Sequence, residues 1–168
     1  MGTSLDFESP KTRELGCWDA PSDLTPTIDA WSTPSDSSFR PGNSFADFLI
    51  DIGFGADCDS SVRDFWRNEI SNNYVGEEGR KRARMATINL RDRDGLHGRL
   101  ADVKCPVLWL HGTKDVVYSV ANAQREIKMF VGSPDAKLKV VDGGQHFLSF
   151  SHPEEVDGAV ADFVAKYS

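Results

Sequence analysis

Two short segments near the end of the chain each place an ionisable side chain directly after a predicted strand. The first, from Pro106 to Asp115, reads PVLWLHGTKD, and the second, from Leu138 to His146, reads LKVVDGGQH. In each, a short apolar and β-rich run is followed by glycine, which allows the chain to turn sharply. Because parallel sheets bind ligands outside the carboxyl ends of their strands, we expect Asp115 and His146 to meet at that edge. A carboxylate that orients an imidazole and stabilises its protonated form supplies two members of a Ser-His-Asp triad.

The stretch between Asp115 and His146 predicts a crossover helix. Ser119 can cap this helix, and apolar residues then recur at helical spacing at Val120, Ala123, Ile127 and Phe130. A strand, a helix and a second strand in this order predict a parallel strand pair. Beyond His146, the segment SHPEE combines a serine at position 151, an early proline and two acidic residues, which predicts that Ser151 caps a final helix.

Residues 103 to 168 resemble the C-terminal part of an α/β-hydrolase, and the chain resembles a fungal subgroup of that family associated with secondary metabolism. On that resemblance, Asp115 matches the triad acid in the pattern P-V-L-x-x-H-G-x-x-D, and His146 matches the base in G-G-x-H-F. The resemblance implies a partial α/β-hydrolase fold of the α/β class, with parallel strands, flanking helices and a mostly helical cap. It also implies serine-type hydrolysis or acyl transfer on a small ester, thioester or polyketide-derived substrate, as in toxin biosynthesis, without a cofactor or a metal.

The nucleophile of that family stands in G-x-S-x-G, between a buried strand and a helix, and no segment of this sequence supplies it. Gly2-Thr-Ser4-Leu-Asp6 lacks the final glycine, and on the resemblance it follows the strand after the nucleophile helix. Ser44 is preceded by polar sequence and is better explained as a helix N-cap. We therefore expect the nucleophile half to be absent and this chain alone to be inactive. The alternatives are a truncated paralogue that binds a ligand or a partner, and a gene-model fragment.

The chain divides, in this interpretation, into a cap region and a piece of sheet. Residues 1–100 would contain the end of a sheet strand and the cap, and residues 101–168 the strand–helix–strand–helix part of the core. Within the first region, residues 7–43 predict a loop-dominated stretch. Helices are expected at about 45–52, ended by Gly53, at about 62–70, capped by Asp59 or Ser60, and at about 77–91. Trp66 and Met85 are candidates to line an acyl pocket under the cap, although such residues at helical spacing usually pack helices together.

Charge argues against several partners. The chain has 26 acidic and 19 basic residues and a net charge of −7, so it should repel nucleic acid and anionic membranes and favour a small neutral substrate. The basic run at 80–84 is flanked by Glu77 and Glu78, which predicts a solvated helix face. No apolar run is long enough to span a bilayer and no secretory signal is visible, so a cytoplasmic location is the default. A peroxisomal location is suggested by family analogy only.

The remaining expectations concern single residues and the sheet edge. Three widely spaced cysteines fit neither a disulfide framework nor a metal clip, and Cys105 is expected to be a buried free thiol. His111 is expected to be structural and bonded to backbone near the site, whereas His97 and His152 should lie at the surface. Without the missing strands, the strand at 107–111 lacks a sheet neighbour on the side away from the second predicted strand. That open edge predicts self-association.

Overall fold

The computed structural model describes residues 10–92 and 95–168, which form two compact units. One unit contains the described residues up to Trp18 together with those from 95 to the end, and the other extends from Asp19 to 92. In chain order the elements are α1 (Pro10–Glu14), α2 (Ala20–Ala30), α3 (Asn43–Phe54), α4 (Ser60–Asn73), α5 (Gly76–Asp92), a 3-10 helix (His97–Asp102), β1 (Val107–Gly112), α6 (Val120–Glu126), a 3-10 turn (Ile127–Met129), β2 (Ala136–Val141), α7 (Leu148–Ser151) and α8 (Pro153–Tyr167).

The sheet of the first unit has the predicted parallel arrangement. β1 and β2 pair in parallel, with Val107 opposite Ala136 and Gly112 opposite Val141. The crossover between them is α6, whose N-cap Ser119 accepts a hydrogen bond from the Asn122 amide, as the sequence predicted. The two strands therefore end at the same edge of the sheet, which confirms the predicted α/β arrangement.

A small apolar core lies against one face of β1. Trp109 is buried there with Leu100 and Ala123. Partly buried apolar side chains surround this core, namely Ile127, Met129, Phe130 and Leu138. Because these residues come from the 3-10 helix, β1, the crossover and β2, their packing fixes the strand pair against the crossover helix.

The second unit contains the helices α2 to α5, and α2 contradicts the predicted loop at residues 7–43. Ala20, Leu24 and Ile28 stand four residues apart and are all buried on one face, and α2 packs against α5. A proline in its first turn is compatible with a helix start. The many Ser, Asp and Pro residues of the segment hid this short apolar stripe. Residues 7–9 lie outside the described part.

The ends of α3 differ from the expectations, whereas the start of α4 agrees with them. The N-cap of α3 is Gly42, and Ser44 is exposed inside the first turn, so the predicted N-cap at Ser44 is wrong. α3 continues past Gly53 to Phe54 and ends at Gly55, whose φ of 94° suits glycine. Asp59 caps α4 as expected, because its side chain accepts a hydrogen bond from the Ser61 amide.

The basic run on α5 is not entirely solvated. Arg80 is buried, donates hydrogen bonds to both carboxylate oxygens of Glu77 and donates another to the Trp31 carbonyl. Arg84 donates to the carbonyl of Ile28 on α2. Two of the basic residues therefore bridge α5 to the segment that contains α2, so the predicted solvated face is wrong at these positions.

Cys105 and Cys17 differ in burial. Cys105 is exposed rather than buried, because it lies in the turn before β1, where its carbonyl accepts a hydrogen bond from the Ser133 hydroxyl. Cys17 is the buried thiol, and burial raises its pKa. Among the residues described, no helix has both the length and the apolar character needed to cross a membrane.

Candidate active site

Asp115 lies in the loop directly after β1, where three donors surround its carboxylate. One oxygen, Oδ1, accepts hydrogen bonds from the amides of Val117 (2.8 Å) and Tyr118 (3.0 Å), which folds the loop into a tight turn. The other oxygen, Oδ2, lies 3.0 Å from Nδ1 of His146. The Asp115 side chain is only 1% exposed. The carboxylate therefore helps form its own loop and holds the imidazole.

His146 lies in the loop after β2, and this loop turns at Gly143, whose φ is 74°. The side chain is 16% exposed, and its ring lies beside those of Tyr118 and Phe147 at centroid distances of 5.9 Å and 5.5 Å. Because Nδ1 donates to the Asp115 carboxylate, the neutral ring carries its lone pair on Nε2. Nε2 has no hydrogen-bond partner among the residues that the structure describes. This is the tautomer that a general base needs.

Opposing influences act on the pKa of Asp115. Burial alone raises the pKa of a carboxyl group, because it disfavours the charged form. The hydrogen bond from His146 and the charge of its protonated ring lower the pKa, as do the amides of Tyr118 and Val117. The balance holds the pKa of Asp115 below its usual range, so the carboxylate stays ionised next to the imidazole at neutral pH.

Direct backbone packing joins the acid loop to the histidine loop. A Cβ atom added to Gly112 would lie 2.1 Å from the carbonyl oxygen of Gly144, so only glycine fits at this crossing. The Lys114 amide donates to the same oxygen at 2.9 Å. Thr113 accepts a hydrogen bond from the Gly143 amide (2.8 Å) through a hydroxyl that also donates to the Asp142 carboxylate (3.1 Å). These contacts fix the separation of the two loops, and with it the Asp115–His146 distance.

Two further residues support the loops from outside. His111 is fully buried, and its Nε2 donates to the carbonyl of Tyr118 at 2.9 Å, so the prediction of a structural, backbone-bonded histidine is confirmed. Ser151 ends α7 instead of capping α8, which corrects the sequence expectation, and its hydroxyl accepts a hydrogen bond from the Gln145 amide. His111 thus braces the acid loop, and Ser151 braces the residue next to His146.

The supporting roles of Thr113, Gly144 and Ser151 were missed by the sequence reasoning. The glycines gave a signal, but they were interpreted only as turn formers. Their second role, a close approach between two backbones, follows only once the strands are known to be neighbours. Hydroxyl residues are common in loops, so nothing in the sequence separated Thr113 and Ser151 from other serines and threonines.

The other two histidines were expected at the surface, and both are partly exposed. His97 is 23% exposed, and its Nε2 lies 3.2 Å from a carboxylate oxygen of Glu126, which is fully buried. His152 is half-buried, with Nδ1 3.0 Å from the Ser151 hydroxyl. Both rings also make hydrogen bonds inside the first unit.

Each of the two predicted substrate-binding residues lines a surface depression of the helical unit. Trp66 stacks on Phe54 at 5.6 Å and lines a surface pocket of the helical unit. Met85 is 60% exposed and lines a separate depression along α5. Their contact with substrate stays a prediction. Ser4 lies outside the described residues, and the described cysteine, histidine and acidic side chains form no cluster of three or more that could hold a metal ion.

Comparison with known proteins gives a match in structure and none in sequence. No protein-family model and no curated protein matches this chain. A hydrolase from Oleispira antarctica superposes with a TM-score of 0.69 at 17% identity, over 96% of this chain and 53% of its own. An esterase from Thermogutta terrifontis, solved with malate bound, gives 0.63 at 17% identity, over 98% and 53%. A hydrolase from Pseudomonas aeruginosa gives 0.59 at 18% identity, over 89% and 52%.

These likenesses extend over nearly all of the present chain, which spans about half the length of each solved structure. At this level of identity they show the fold, and the chemistry has to be argued from the site itself. The chain therefore has a partial α/β-hydrolase fold, and Asp115 and His146 lie at the carboxyl edge of its two parallel strands.

Proposed function

We propose that this chain carries the acid–histidine half of a serine-type hydrolase site, and that the nucleophile must come from outside the described residues. The single observation that carries the proposal is the 3.0 Å hydrogen bond between Asp115 Oδ2 and His146 Nδ1. It joins the ends of adjacent parallel strands, where ligands of such sheets bind. It also leaves Nε2 of the ring available to take a proton.

The chemistry assigned to each group follows from this geometry. Nε2 of His146 removes the proton of an attacking hydroxyl and later returns it to the leaving group. Asp115 keeps the ring in the required tautomer and stabilises the imidazolium that forms, without taking the proton itself. The described residues supply neither a serine in attack geometry nor the backbone amide that follows it in an oxyanion hole. The described part therefore supplies proton transfer and lacks covalent catalysis.

The substrate class rests on analogy. One of the similar solved structures is described as an esterase, and the sequence resemblance points to small esters, thioesters or polyketide-derived acyl groups in fungal secondary metabolism. We take a short ester as the working substrate because it is the simplest carbonyl compound of this class. The location of the protein, cytoplasmic by default, stays a prediction.

A second function is favoured by one observation. In the described residues no serine makes a hydrogen bond to His146, and Ser44 is an exposed residue in the first turn of α3. A chain with this arrangement can bind a ligand or a partner without turning over an ester. Both functions predict that the isolated chain is inactive. They differ in whether adding a nucleophile-bearing segment creates activity.

The geometry of the pair can be tested by nuclear magnetic resonance on the uniformly ¹⁵N-labelled chain. The proton on Nδ1 of His146 is hydrogen-bonded to the carboxylate and protected from exchange with water. It should therefore give a downfield resonance that disappears in His146→Gln and in Asp115→Ala. His152→Gln is the matched control and should leave the resonance unchanged, because His152 bonds to Ser151 and not to the carboxylate. A downfield proton that survives Asp115→Ala would contradict the acid assignment.

Activity provides the second test. The isolated chain should hydrolyse p-nitrophenyl acetate without a burst, and any His146-dependent rate should not exceed that of an equal concentration of free imidazole. Ser4→Ala and Ser44→Ala should change nothing. A rate far above the imidazole reference that is abolished by His146→Ala would show that the site is complete. If either serine substitution also removed that activity, it would identify the nucleophile.

A further inference from the structure

We propose that residues 16–18, the linking segment through which the chain leaves the first unit, position Asp115 for His146. The linking segment ends at Trp18, and the helical unit begins at Asp19. Its contacts reach the loop that carries Asp115, although 102 residues separate Cys17 from its contact there. The inference deepens the proposed function and rests on it for the catalytic meaning of the Asp115–His146 pair.

The central contact is a backbone hydrogen bond between the linking segment and the acid loop. The Trp18 amide donates to the carbonyl oxygen of Val117 at 2.8 Å. That carbonyl belongs to the same planar peptide unit as the Tyr118 amide. The Tyr118 amide in turn donates to Asp115 Oδ1 at 3.0 Å. Because the peptide unit is rigid, the bond from Trp18 fixes the direction in which this amide points toward the carboxylate.

A continuous chain of hydrogen bonds therefore runs from Trp18 to the imidazole of His146. It passes through the peptide unit to Oδ1 of Asp115, and from Oδ2 of the same carboxylate to Nδ1 of the ring at 3.0 Å. A carbonyl that accepts a hydrogen bond polarises its own peptide unit, which makes the amide on the other side a stronger donor. The bond from Trp18 thus acts on Asp115 through both geometry and charge.

The side chain of Cys17 adds a second contact with the acid loop. It is 8% exposed, and its Sγ lies 3.9 Å from Oγ of Ser119, the N-cap of α6. Burial raises the pKa of this thiol despite its hydrogen bonds with Ser119, and the negative charges of Glu126 and Asp115 raise it further. The thiol therefore stays neutral and can pack against the loop without repelling the Asp115 carboxylate.

A turn at the end of α1 sets the course of the linking segment. Gly16 has a φ of 81°, and its amide donates to the carbonyl of Arg13. The Cys17 amide donates to the carbonyl of Thr12, whose side chain is buried. These two bonds form a Schellman motif, in which a residue in the left-handed region ends a helix and redirects the chain. The turn therefore directs Cys17 and Trp18 toward the acid loop.

Two substitutions at one position separate the amide of Trp18 from its side chain. Trp18→Pro removes the amide hydrogen that binds Val117, whereas Trp18→Ala keeps it and removes the indole. In the ¹⁵N-labelled full chain, Trp18→Pro should accelerate the exchange of the His146 Nδ1 proton with water by about five- to thirtyfold, as expected for the loss of one buried hydrogen bond. Trp18→Ala is the matched control and should leave this exchange rate unchanged.

The pKa of Asp115 gives a readout that a merely structural role would not change. The Tyr118 amide is one of the groups that lower this pKa, so a weaker bond from Tyr118 should raise it. The carboxyl ¹³C shift of Asp115 should therefore titrate at higher pH in Trp18→Pro than in Trp18→Ala. His146 and Cys17 are the titratable neighbours of this carboxyl group, and repeating the comparison in His146→Gln removes the larger of their effects.

Two measurements keep the test decisive if Trp18→Pro does not fold. In the unaltered chain, the amides of Trp18 and Tyr118 should have similar protection against exchange, because they open together. Gly16→Ala strains the turn through its positive φ alone, since no atom lies within 4 Å of the added Cβ, and should accelerate the Nδ1 exchange. Gly76→Ala, at a φ of 66° in the helical unit, meets no atom closer than 3.6 Å and should leave that exchange unchanged.

Equal Nδ1 exchange and equal Asp115 pKa in Trp18→Pro and Trp18→Ala would overturn the proposal. So would a Trp18 amide that exchanges freely in the unaltered chain while the Tyr118 amide is protected. Asp115→Ala distinguishes this failure from that of the proposed function. If the Nδ1 resonance survives Asp115→Ala, the acid assignment and the positioning role both fail. If it is lost in Asp115→Ala and unaffected in Trp18→Pro, the positioning role alone fails.

Discussion

Replacing Gly112 by alanine tests whether the crossing of the two loops sets the Asp115–His146 distance. The added Cβ would lie 2.1 Å from the Gly144 carbonyl oxygen and 2.4 Å from its carbonyl carbon, and both atoms are backbone. Reaching even 3.0 Å from the oxygen requires the loops to separate by about 0.9 Å. Added to the present 3.0 Å between Asp115 Oδ2 and His146 Nδ1, that movement gives about 3.9 Å, which is too long for a hydrogen bond. Overpacking of this kind also costs about 1–3 kcal/mol of stability.

The assay combines the Nδ1 proton resonance of His146 with urea unfolding. Gly112→Ala should lose the resonance and unfold at lower urea. Gly132→Ala is the matched control, because its Cβ would lie 2.1 Å from the Ala101 carbonyl oxygen, away from the pair. This control should destabilise the chain to a similar extent and retain the resonance. If Gly112→Ala kept both the resonance and the stability, the loop crossing would not position the pair, and the argument from the glycine contact would be wrong.

Four further substitutions each test the role of a single residue. Because the pKa of Asp115 is lowered in the folded chain, its ionised carboxylate should stabilise the fold fully above the unfolded pKa of about 3.9. This stabilisation should be lost as the pH falls through the folded pKa. In urea unfolding midpoints measured against pH, Asp115→Asn should therefore reduce the loss of stability at acid pH. The hydrogen bonds from Arg80 and from the Ser35 amide lower the pKa of Glu77 to about 2. The contribution of Glu77 to folding stability should therefore disappear between about pH 4 and pH 2. Glu77→Gln should remove this pH dependence, and Glu78→Gln is the control. Ser119→Ala removes the N-cap of α6 and should cost about 1 kcal/mol in urea unfolding, whereas Gly158→Ala in α8, where a Cβ meets no atom within 4 Å, should raise stability.

The sequence predicted those parts of the fold whose signal is local. Short apolar runs ending in glycine gave both strands, and the 107–112 and 136–141 segments pair in parallel as expected. Caps at Asp59 and Ser119 were also predicted from residue type. α2 was missed because only Ala20, Leu24 and Ile28 mark its buried face among many polar residues, and the packing against α5 that stabilises it cannot be seen in the local sequence.

The candidate site was predictable to a similar extent. The types and spacing of Asp115 and His146 gave the pair, because strand ends on one edge leave few other places for these side chains. The environment of the pair depends on contacts between loops 30 residues apart, such as the bond from the Gly143 amide to Thr113. Such contacts depend on the strand register, which residue types do not encode. Arg80 shows the same limit, because its burial requires Trp31 and Glu77 at the same place.

The hydrogen bonds that the Asp115 and His146 side chains make come from the loops after β1 and β2 themselves. The pair can therefore be in place before any nucleophile is present, and a nucleophile-bearing segment would only need to bring its hydroxyl to Nε2. If that segment extends the parallel sheet, its strand must pair with β1, because β2 carries the exposed Lys137 and Lys139. A nucleophile-bearing segment that restores esterase activity should therefore bind along β1. Activity gained without any contact along β1 would show that the segment docks on another surface.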